Sequence, residues 1–142
     1  MGKMKFFVDT SIFVDCLRKD VVLASKSFIE SLLDANTGYT STITVAELSV
    51  GAHLSPKKDA LKKTLNLLAP VILVDIDRNI ALEGGRIYSS LVKSGEEIEL
   101  NDCLIGAAAI FTGIDAIVTR NKKHFRRIEG IRAITPEEAG FG

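Results

Sequence analysis

Short apolar runs alternate with longer amphipathic segments along the chain. The short runs are rich in valine, isoleucine and phenylalanine and are bounded by polar residues, which is typical of buried strands. They predict strands at residues 5–8, 39–42, 71–74, 116–119 and 131–134. Because the apolar runs are continuous and separated by helical segments, they indicate an α/β protein with a parallel sheet covered by helices on both faces.

The segments between the strands carry apolar residues at helical spacing. They predict helices at residues 11–17, 22–35, 44–54, 57–68, 78–93 and 102–111, followed by a basic turn or short helix at 120–127. We expect Asn101 to cap the start of the sixth helix and Gly113 to end it. Gly84 and Gly85 lie inside the fifth helix, where each costs about 1 kcal/mol relative to alanine. Close packing against a neighbouring element explains this pair better than a hinge does.

Length and composition bound the class of protein. The 142 residues suffice for one domain, spanning 1–142, with a core of its own. The 18 Lys and Arg residues balance 18 Asp and Glu residues, so any binding of nucleic acid must use a local basic patch. Two cysteines are too few for a disulfide framework or a thiolate zinc site. Since neither a signal peptide nor a membrane-spanning apolar stretch is visible, we expect a cytoplasmic protein that binds no membrane.

Three acids stand where an ionised side chain needs a partner. Asp9 directly follows the first strand, at the edge of an α/β sheet where ligands bind. Glu47 is isolated in an apolar stretch, and burying an unpaired charge is expensive. Asp102 lies in the first turn of the sixth helix, whose dipole is expected to keep the carboxylate ionised. Clusters of carboxylates suit Mg²⁺ or Mn²⁺, so these acids are candidate catalytic residues and metal ligands.

Each acid also has an ordinary structural explanation. Asp9 can cap the helix that follows it. Glu47 can form a capping box with Thr44. Asp102 can simply interact with the helix dipole. Glu99 is either a further acid of the site or a solvated surface residue.

Polar residues after the fourth strand are further candidates. Thr119 offers a hydroxyl and Asn121 an amide oxygen at the same sheet edge as Asp9, although both are also common turn residues. The basic segment beside them either positions a phosphodiester backbone or forms a solvated positive face. Its residues expected to bind RNA are Arg120, Lys122 and Lys123.

Four motifs together resemble the PIN-domain family, in particular its VapC-like ribonuclease toxins. They are FVDTS at 7–11, the segment 41–48 around Glu47, NDCLIGA at 101–107 and VTRNKKHF at 118–125. The resemblance implies a three-layer α/β/α sandwich, metal binding by Asp9, Glu47 and Asp102, and endonuclease activity on RNA that depends on Mg²⁺ or Mn²⁺. It also implies that Ser11 and Thr119 order the site, that the protein is a homodimer, and that a cognate antitoxin blocks the site.

The chain departs from the family pattern at the fourth acid. Many PIN-domain proteins carry an acid where this chain has Asn121, and an aspartate where it has His124. Glu99 is a possible substitute, and whether one or two ions bind is open. Two other functions also stay open. One is a PIN fold that binds RNA or protein without efficient cleavage. The other is a phosphotransferase of the haloacid-dehalogenase type, which needs a second aspartate where Ser11 stands.

Overall fold

The structure, a computed structural model that describes residues 4–142, is built on a parallel sheet. Its strands within these residues are β1 (Lys5–Val8), β2 (Thr37–Ser41), β3 (Ile72–Val74), β4 (Ala116–Val118) and β5 (Arg132–Ile134). They are arranged in the order β3-β2-β1-β4-β5, and each pair is parallel. The predicted strands and the parallel sheet are therefore confirmed, with boundaries that differ by at most two residues.

Helices connect successive strands. Within the described residues they are α1 (Thr10–Leu17), α2 (Leu23–Ser31), α3 (Thr42–Leu54), α4 (Ala60–Leu68), α5 (Arg78–Lys93), α6 (Leu100–Thr112) and α7 (Lys122–Phe125). The prediction for α5 was correct at both ends. The prediction for α2 was too long, because the chain turns after Ser31, whose carbonyl accepts a hydrogen bond from the amide of Asn36 at 2.9 Å.

The start of α6 also differs from the prediction. The helix begins at Leu100 and its N-cap residue is Glu99, so the prediction of an Asn101 cap is wrong. Gly113 ends the helix with a φ of 77°, as predicted. Glycine adopts this left-handed backbone conformation without the steric cost that other residues have.

The two faces of the sheet are covered by different helices. Side chains of successive strand residues point to opposite faces. Phe7 and Ile117 therefore pack against α5, α6 and α7, whereas Phe6, Val8 and Val118 pack against α1, α2, α3 and α4. The protein is thus a three-layer α/β/α sandwich, as expected.

The third strand is less buried than predicted. Strand β3 is an edge strand of the sheet, and Ile72 and Leu73 are 49% and 48% exposed. The prediction of a buried third strand is therefore wrong. An apolar run does not distinguish a central strand from an edge strand, because that difference depends on strand order.

The two cysteines are not joined by a disulfide bond. Cys16 and Cys103 are both free, and Cys103 is buried. No helix within the described residues combines the length and the apolar character that crossing a membrane requires.

The strand order reverses between β1 and β4. From β1 the chain moves to β2 and β3 on one side, and then returns to β4 and β5 on the other. The helices that follow β1 and β4 thus leave the sheet in opposite directions and open a crevice at the carboxyl ends of these strands. The residues that end these strands are Val8 and Val118, which are register partners.

Candidate active site

Asp9 and Thr119 meet in this crevice because they follow register partners. The amide of Asp9 donates to the carbonyl of Val118 at 3.0 Å. The hydroxyl of Thr119 donates to Oδ2 of Asp9 at 2.8 Å, and the hydroxyl of Ser11 donates to the same oxygen at 2.7 Å. Asp9 also caps α1 through the amide of Ser11, so the capping explanation and the site explanation both apply to this residue.

Asp9 is only 2% exposed. Burial raises the pKa of Asp9 above its ordinary value, and the hydrogen bonds from Ser11 and Thr119 act in the opposite direction. The two hydroxyls therefore favour the ionised form, which a cation requires.

Glu47 is held by the residue next to Asp9. The hydroxyl of Thr10 donates to Oε1 of Glu47 at 2.7 Å and lies 2.9 Å from the hydroxyl of Thr44. The capping-box interpretation of Glu47 is wrong, because α3 begins at Thr42 with Ser41 as its N-cap residue. Thr44 is therefore the third residue of the helix and not its N-cap, and Glu47 accepts from the Thr10 hydroxyl instead.

Asp102 comes from α6 and pairs with a histidine of α7. Nδ1 of His124 lies 3.1 Å from Oδ2 of Asp102. The pKa of Asp102 is raised to about 6, mainly by burial and also by the charge of Asp9, whereas the hydrogen bond from His124 lowers it. With a pKa of about 6, Asp102 is mostly ionised at neutral pH, whereas burial and the charge of Asp9 favour its protonated form below that pH.

The three acids share one pattern of hydrogen bonding. Within residues 4–142, Asp9 accepts its side-chain hydrogen bonds at Oδ2. Glu47 accepts at Oε1, and Asp102 is contacted at Oδ2. Each carboxylate is thus oriented through one oxygen, and its other oxygen accepts no side-chain hydrogen bond from the described residues. Carboxylates that ligate metals are commonly held in this way by neighbouring groups.

The acids line one cleft of about 640 Å³. Of the residues predicted from the sequence, those that line it are Asp9, Ser11, Glu47, Glu99, Asp102, Arg120 and Asn121. Thr119 is fully buried beneath it, behind Asp9. No three acidic, histidine or cysteine side chains in the described part of the chain lie close enough together to ligate one ion by themselves. The cleft therefore gathers the acids without forming a closed cage.

Two of the predicted RNA-binding residues are ion-paired. Nη1 of Arg120 donates to Glu137 and Nζ of Lys122 donates to Glu138, each at 2.7 Å. Their charges are therefore offset by the C-terminal segment, which sequence spacing did not suggest. Lys123 is exposed and has no ion pair among residues 4–142, but it does not line the cleft.

The polar cleft residues that the sequence reasoning missed are Thr10, Asp15, Arg18 and Glu137. Thr10 directly follows Asp9, and a hydroxyl beside a strand-end acid is a signal that could have been weighed. The family comparison identifies His124 as a position where many PIN-domain proteins have an aspartate, but it does not predict the contact of His124 with Asp102. Asn121 and His124 both follow β4 and line the cleft opposite the N-terminus of α6.

Residues 6–131 match the family model of the PIN domain. The chain belongs to the PIN-domain family. Its VapC-like character is also shown, since it is 30% identical over 129 residues to Ribonuclease VapC2 of Rickettsia felis, covering 90% of this chain and 95% of that protein.

Solved structures share this PIN fold. The VapBC2 complex of Rickettsia felis, bound to a DNA fragment from its promoter, superposes with a TM-score of 0.80 at 28% identity, covering 93% of this chain and 98% of that one. FitAcB of Neisseria gonorrhoeae gives a TM-score of 0.78 at 25% identity, with the same coverage of 93% and 98%. The PIN fold therefore extends over nearly all of this chain.

Proposed function

We propose that this chain is a divalent-metal-dependent endoribonuclease and the toxin of a toxin–antitoxin pair. The observation that carries the catalytic part is the arrangement of three carboxylates in one cleft, each oriented through one oxygen. Similarity to Ribonuclease VapC2 supports RNA as the substrate. Similarity to the VapBC complexes supports a cognate antitoxin as a partner.

The donor set fits a hard divalent cation. Asp9, Glu47 and Asp102 would hold Mg²⁺ or Mn²⁺, with water as the remaining ligands. A hydrated ion suits the observation that no three side chains of the described residues converge on one point, because Mg²⁺ is usually held by one or two carboxylates and several waters. The repulsion between Asp9 and Asp102, which raises the pKa of Asp102, is also what a cation would offset. When bound, such an ion supplies an activated water and neutralises charge on the phosphate.

The protein's own groups prepare the carboxylates for this task. Ser11 and Thr119 fix the orientation of Asp9, Thr10 fixes Glu47, and His124 fixes Asp102. Because these donors are already in place, little reorganisation is needed when the phosphodiester enters.

Two further residues of the cleft are proposed as accessory groups. Glu99 and Asn121 both line it. Asn121 brings no charge, so Glu99 is the residue that can add a fourth carboxylate.

Basic residues outside the acidic cluster are candidate contacts for RNA. Lys123 can contact RNA outside the cleft, because its side chain is exposed. Arg120 and Lys122 would contact RNA only after exchange of their carboxylate partners.

A homodimer is proposed from the family resemblance. A toxin that cleaves RNA acts where its substrate is, which favours the cytoplasm.

The second candidate function is a PIN-like module that binds RNA or protein and cleaves poorly or not at all. The neutral Asn121 and the separation of the acids favour it. It differs from the first proposal only in turnover, so a cleavage assay decides between them.

The test is to incubate the purified protein with end-labelled RNA and Mn²⁺, with and without excess EDTA. We expect cleavage that EDTA abolishes and that Asp9→Asn reduces at least a hundredfold, since the loss of a charge-stabilising group commonly costs about 10²–10³ in rate. The matched control is Asp115→Asn. Asp115 is an exposed aspartate just before β4, at the amino ends of the strands and away from the cleft. Cleavage that survives EDTA, or that Asp9→Asn leaves intact, would contradict the metallonuclease. No cleavage of any RNA would favour the binding module.

A further inference from the structure

Arg18 ends the first helix at the rim of the acidic cleft. We infer that Arg18 is the residue of this cleft that contacts a phosphate of the RNA backbone. The inference rests on the proposed function, because it names the group that holds the RNA which that function would cleave.

The cleft contains far more acids than bases. Its acidic lining residues are Asp9, Asp15, Glu47, Glu99, Asp102 and Glu137. Within the described residues, the permanently charged cations that line it are Arg18 and Arg120. An RNA backbone entering such a cleft needs a cation on the wall to offset the repulsion between phosphates and carboxylates.

Arg120 is fully committed to the protein. Its Nε donates to Oδ2 of the buried Asp15 at 2.7 Å, and its Nη1 donates to Oε1 of Glu137 at 2.7 Å. Its Nη2 donates to the hydroxyl of Ser25 at 3.0 Å. The Arg120 guanidinium therefore ties the end of β4 to α1, α2 and the C-terminal segment. Its release to a phosphate would leave the buried charge of Asp15 poorly paired, which is costly.

Arg18, unlike Arg120, is mostly exposed to solvent. Its side chain is 63% exposed, and its Nη1 is 3.9 Å from Oδ1 of Asp15, which is too far for a hydrogen bond. Asp15 keeps Arg120 and Ser25 as partners whether or not Arg18 is present. The guanidinium of Arg18 is thus available, and its planar set of donors suits a phosphate.

The position of Arg18 also suggests where the RNA strand leaves the cleft. Arg18, Val14 and Glu47 line a second cavity of about 760 Å³ between α1, α3 and α4 as well as the acidic cleft. The further cations that line this second cavity are Lys19, Lys57 and Lys63. A strand that passes Arg18 therefore reaches a surface with more positive charge.

The alternative is that Arg18 only interacts with the C-terminal dipole of α1. Lys93 provides the matched control, because it is an exposed cation in the last turn of α5 and lines neither cavity. The test compares Arg18→Met, Arg18→Lys and Lys93→Met in the full chain. A fluorescent single-stranded RNA of about 20 nucleotides is titrated in EDTA at several KCl concentrations, and binding is followed by anisotropy.

We expect Arg18→Met to lower the slope of log K against log [KCl] by about 0.7, which is the effect of one phosphate contact on a single strand. At about 0.1 M salt this corresponds to roughly fivefold weaker binding. Arg18→Lys should keep most of the slope, because it keeps the charge, and Lys93→Met should match the unaltered protein. In Mn²⁺, Arg18→Met should raise KM more than it lowers kcat.

An Arg18→Met slope equal to that of Lys93→Met would overturn the inference. Weaker binding with an unchanged slope would also overturn it, since the loss would then be structural. Thermal unfolding of each variant identifies misfolded protein, and Arg18→Gln, which also removes the charge, keeps the question decidable if Arg18→Met is unstable. Because binding is measured in EDTA, a protein that binds RNA through Arg18 but does not cleave it in Mn²⁺ refutes the nuclease and leaves the inference standing.

Discussion

Nδ1 of His124 lies 3.1 Å from Oδ2 of Asp102, and this contact joins α6 to α7 across the cleft. The hydrogen bond lowers the pKa of Asp102, whereas burial and the charge of Asp9 raise it. His124 is therefore positioned to decide how much of Asp102 is ionised at a given pH.

Replacing His124 by leucine should shift the pH dependence of cleavage. Without the donor, the pKa of Asp102 rises above about 6, so the pH of half-maximal activity rises as well. A hydrogen bond to a charged group is worth about 1.5–3 kcal/mol and one pKa unit about 1.4 kcal/mol, which gives about one to two units. We expect a shift of about one unit, at the lower end of this range, because His124 is half-exposed and solvent screens the pair. The measurement is the initial rate from pH 5 to 9. His53→Leu, which replaces an exposed histidine of α3, should leave the profile in place. Equal profiles for the two variants would contradict the role of His124.

Asp102→Asn should stabilise the metal-free protein at neutral pH. The pKa of Asp102 is raised to about 6 by folding, so the folded state binds a proton more tightly than the unfolded state does. Its ionisation therefore destabilises the fold progressively from about pH 4 to 6, and the full cost remains above pH 6.

The asparagine variant lacks this cost, so its gain should be about 1–3 kcal/mol at pH 7.5 and close to zero at pH 4. Urea unfolding in EDTA at both pH values measures the gain. A gain of the same size at both would show that it does not come from the charge.

The sequence was sufficient to predict Asp9, Glu47 and Asp102 as neighbours because each depends on a local signal. A strand end places Asp9, and a helix start places Asp102, once the sheet is taken to be parallel. The contacts of Arg120 could not be predicted in this way. Its partners Asp15 and Glu137 lie 105 and 17 residues away along the chain, and only the folded chain brings them together.

The same distinction explains the errors in the fold. The apolar run of β3 was read correctly as a strand, but its exposure depends on its place at the edge of the sheet. The N-cap of α6 is Glu99 and not Asn101. The two residues are separated by one position, and either can precede the first turn of a helix. Thr10 was overlooked because its partner Glu47 is 37 residues away.

Thr10→Val should impair cleavage without removing any proposed metal ligand. The hydroxyl of Thr10 donates to Oε1 of Glu47 at 2.7 Å, and valine has the same shape but no donor. Loss of a group that orients a ligand typically costs about 10–100-fold in metal affinity or activity. Mn²⁺ affinity from calorimetry and the cleavage rate should both fall, whereas Thr10→Ser should retain most of each. If Thr10→Val binds Mn²⁺ as tightly as the unaltered protein, Glu47 does not depend on this hydrogen bond for metal binding.

Helix α5 packs closely against α6, the helix that carries Asp102, at Gly84. A Cβ atom at Gly84 would lie 2.5 Å from Cδ2 and 3.3 Å from Cα of Leu104, whereas a Cβ atom at Gly85 would meet nothing within 4 Å. The expectation of close packing is therefore met at Gly84 alone. Alanine at either position gains up to about 1 kcal/mol of helix propensity.

Gly85→Ala should realise that gain and raise the free energy of unfolding by about 0.5–1 kcal/mol. Gly84→Ala should be less stable than the unaltered protein, because overpacking typically costs about 1–3 kcal/mol and here pushes against the backbone of α6. Urea unfolding of the two variants side by side measures the difference, and equal stabilities would show that α5 and α6 are not in close contact. Since Asp102 lies two residues before Leu104, Gly84→Ala should also weaken Mn²⁺ binding, and Gly85→Ala should not.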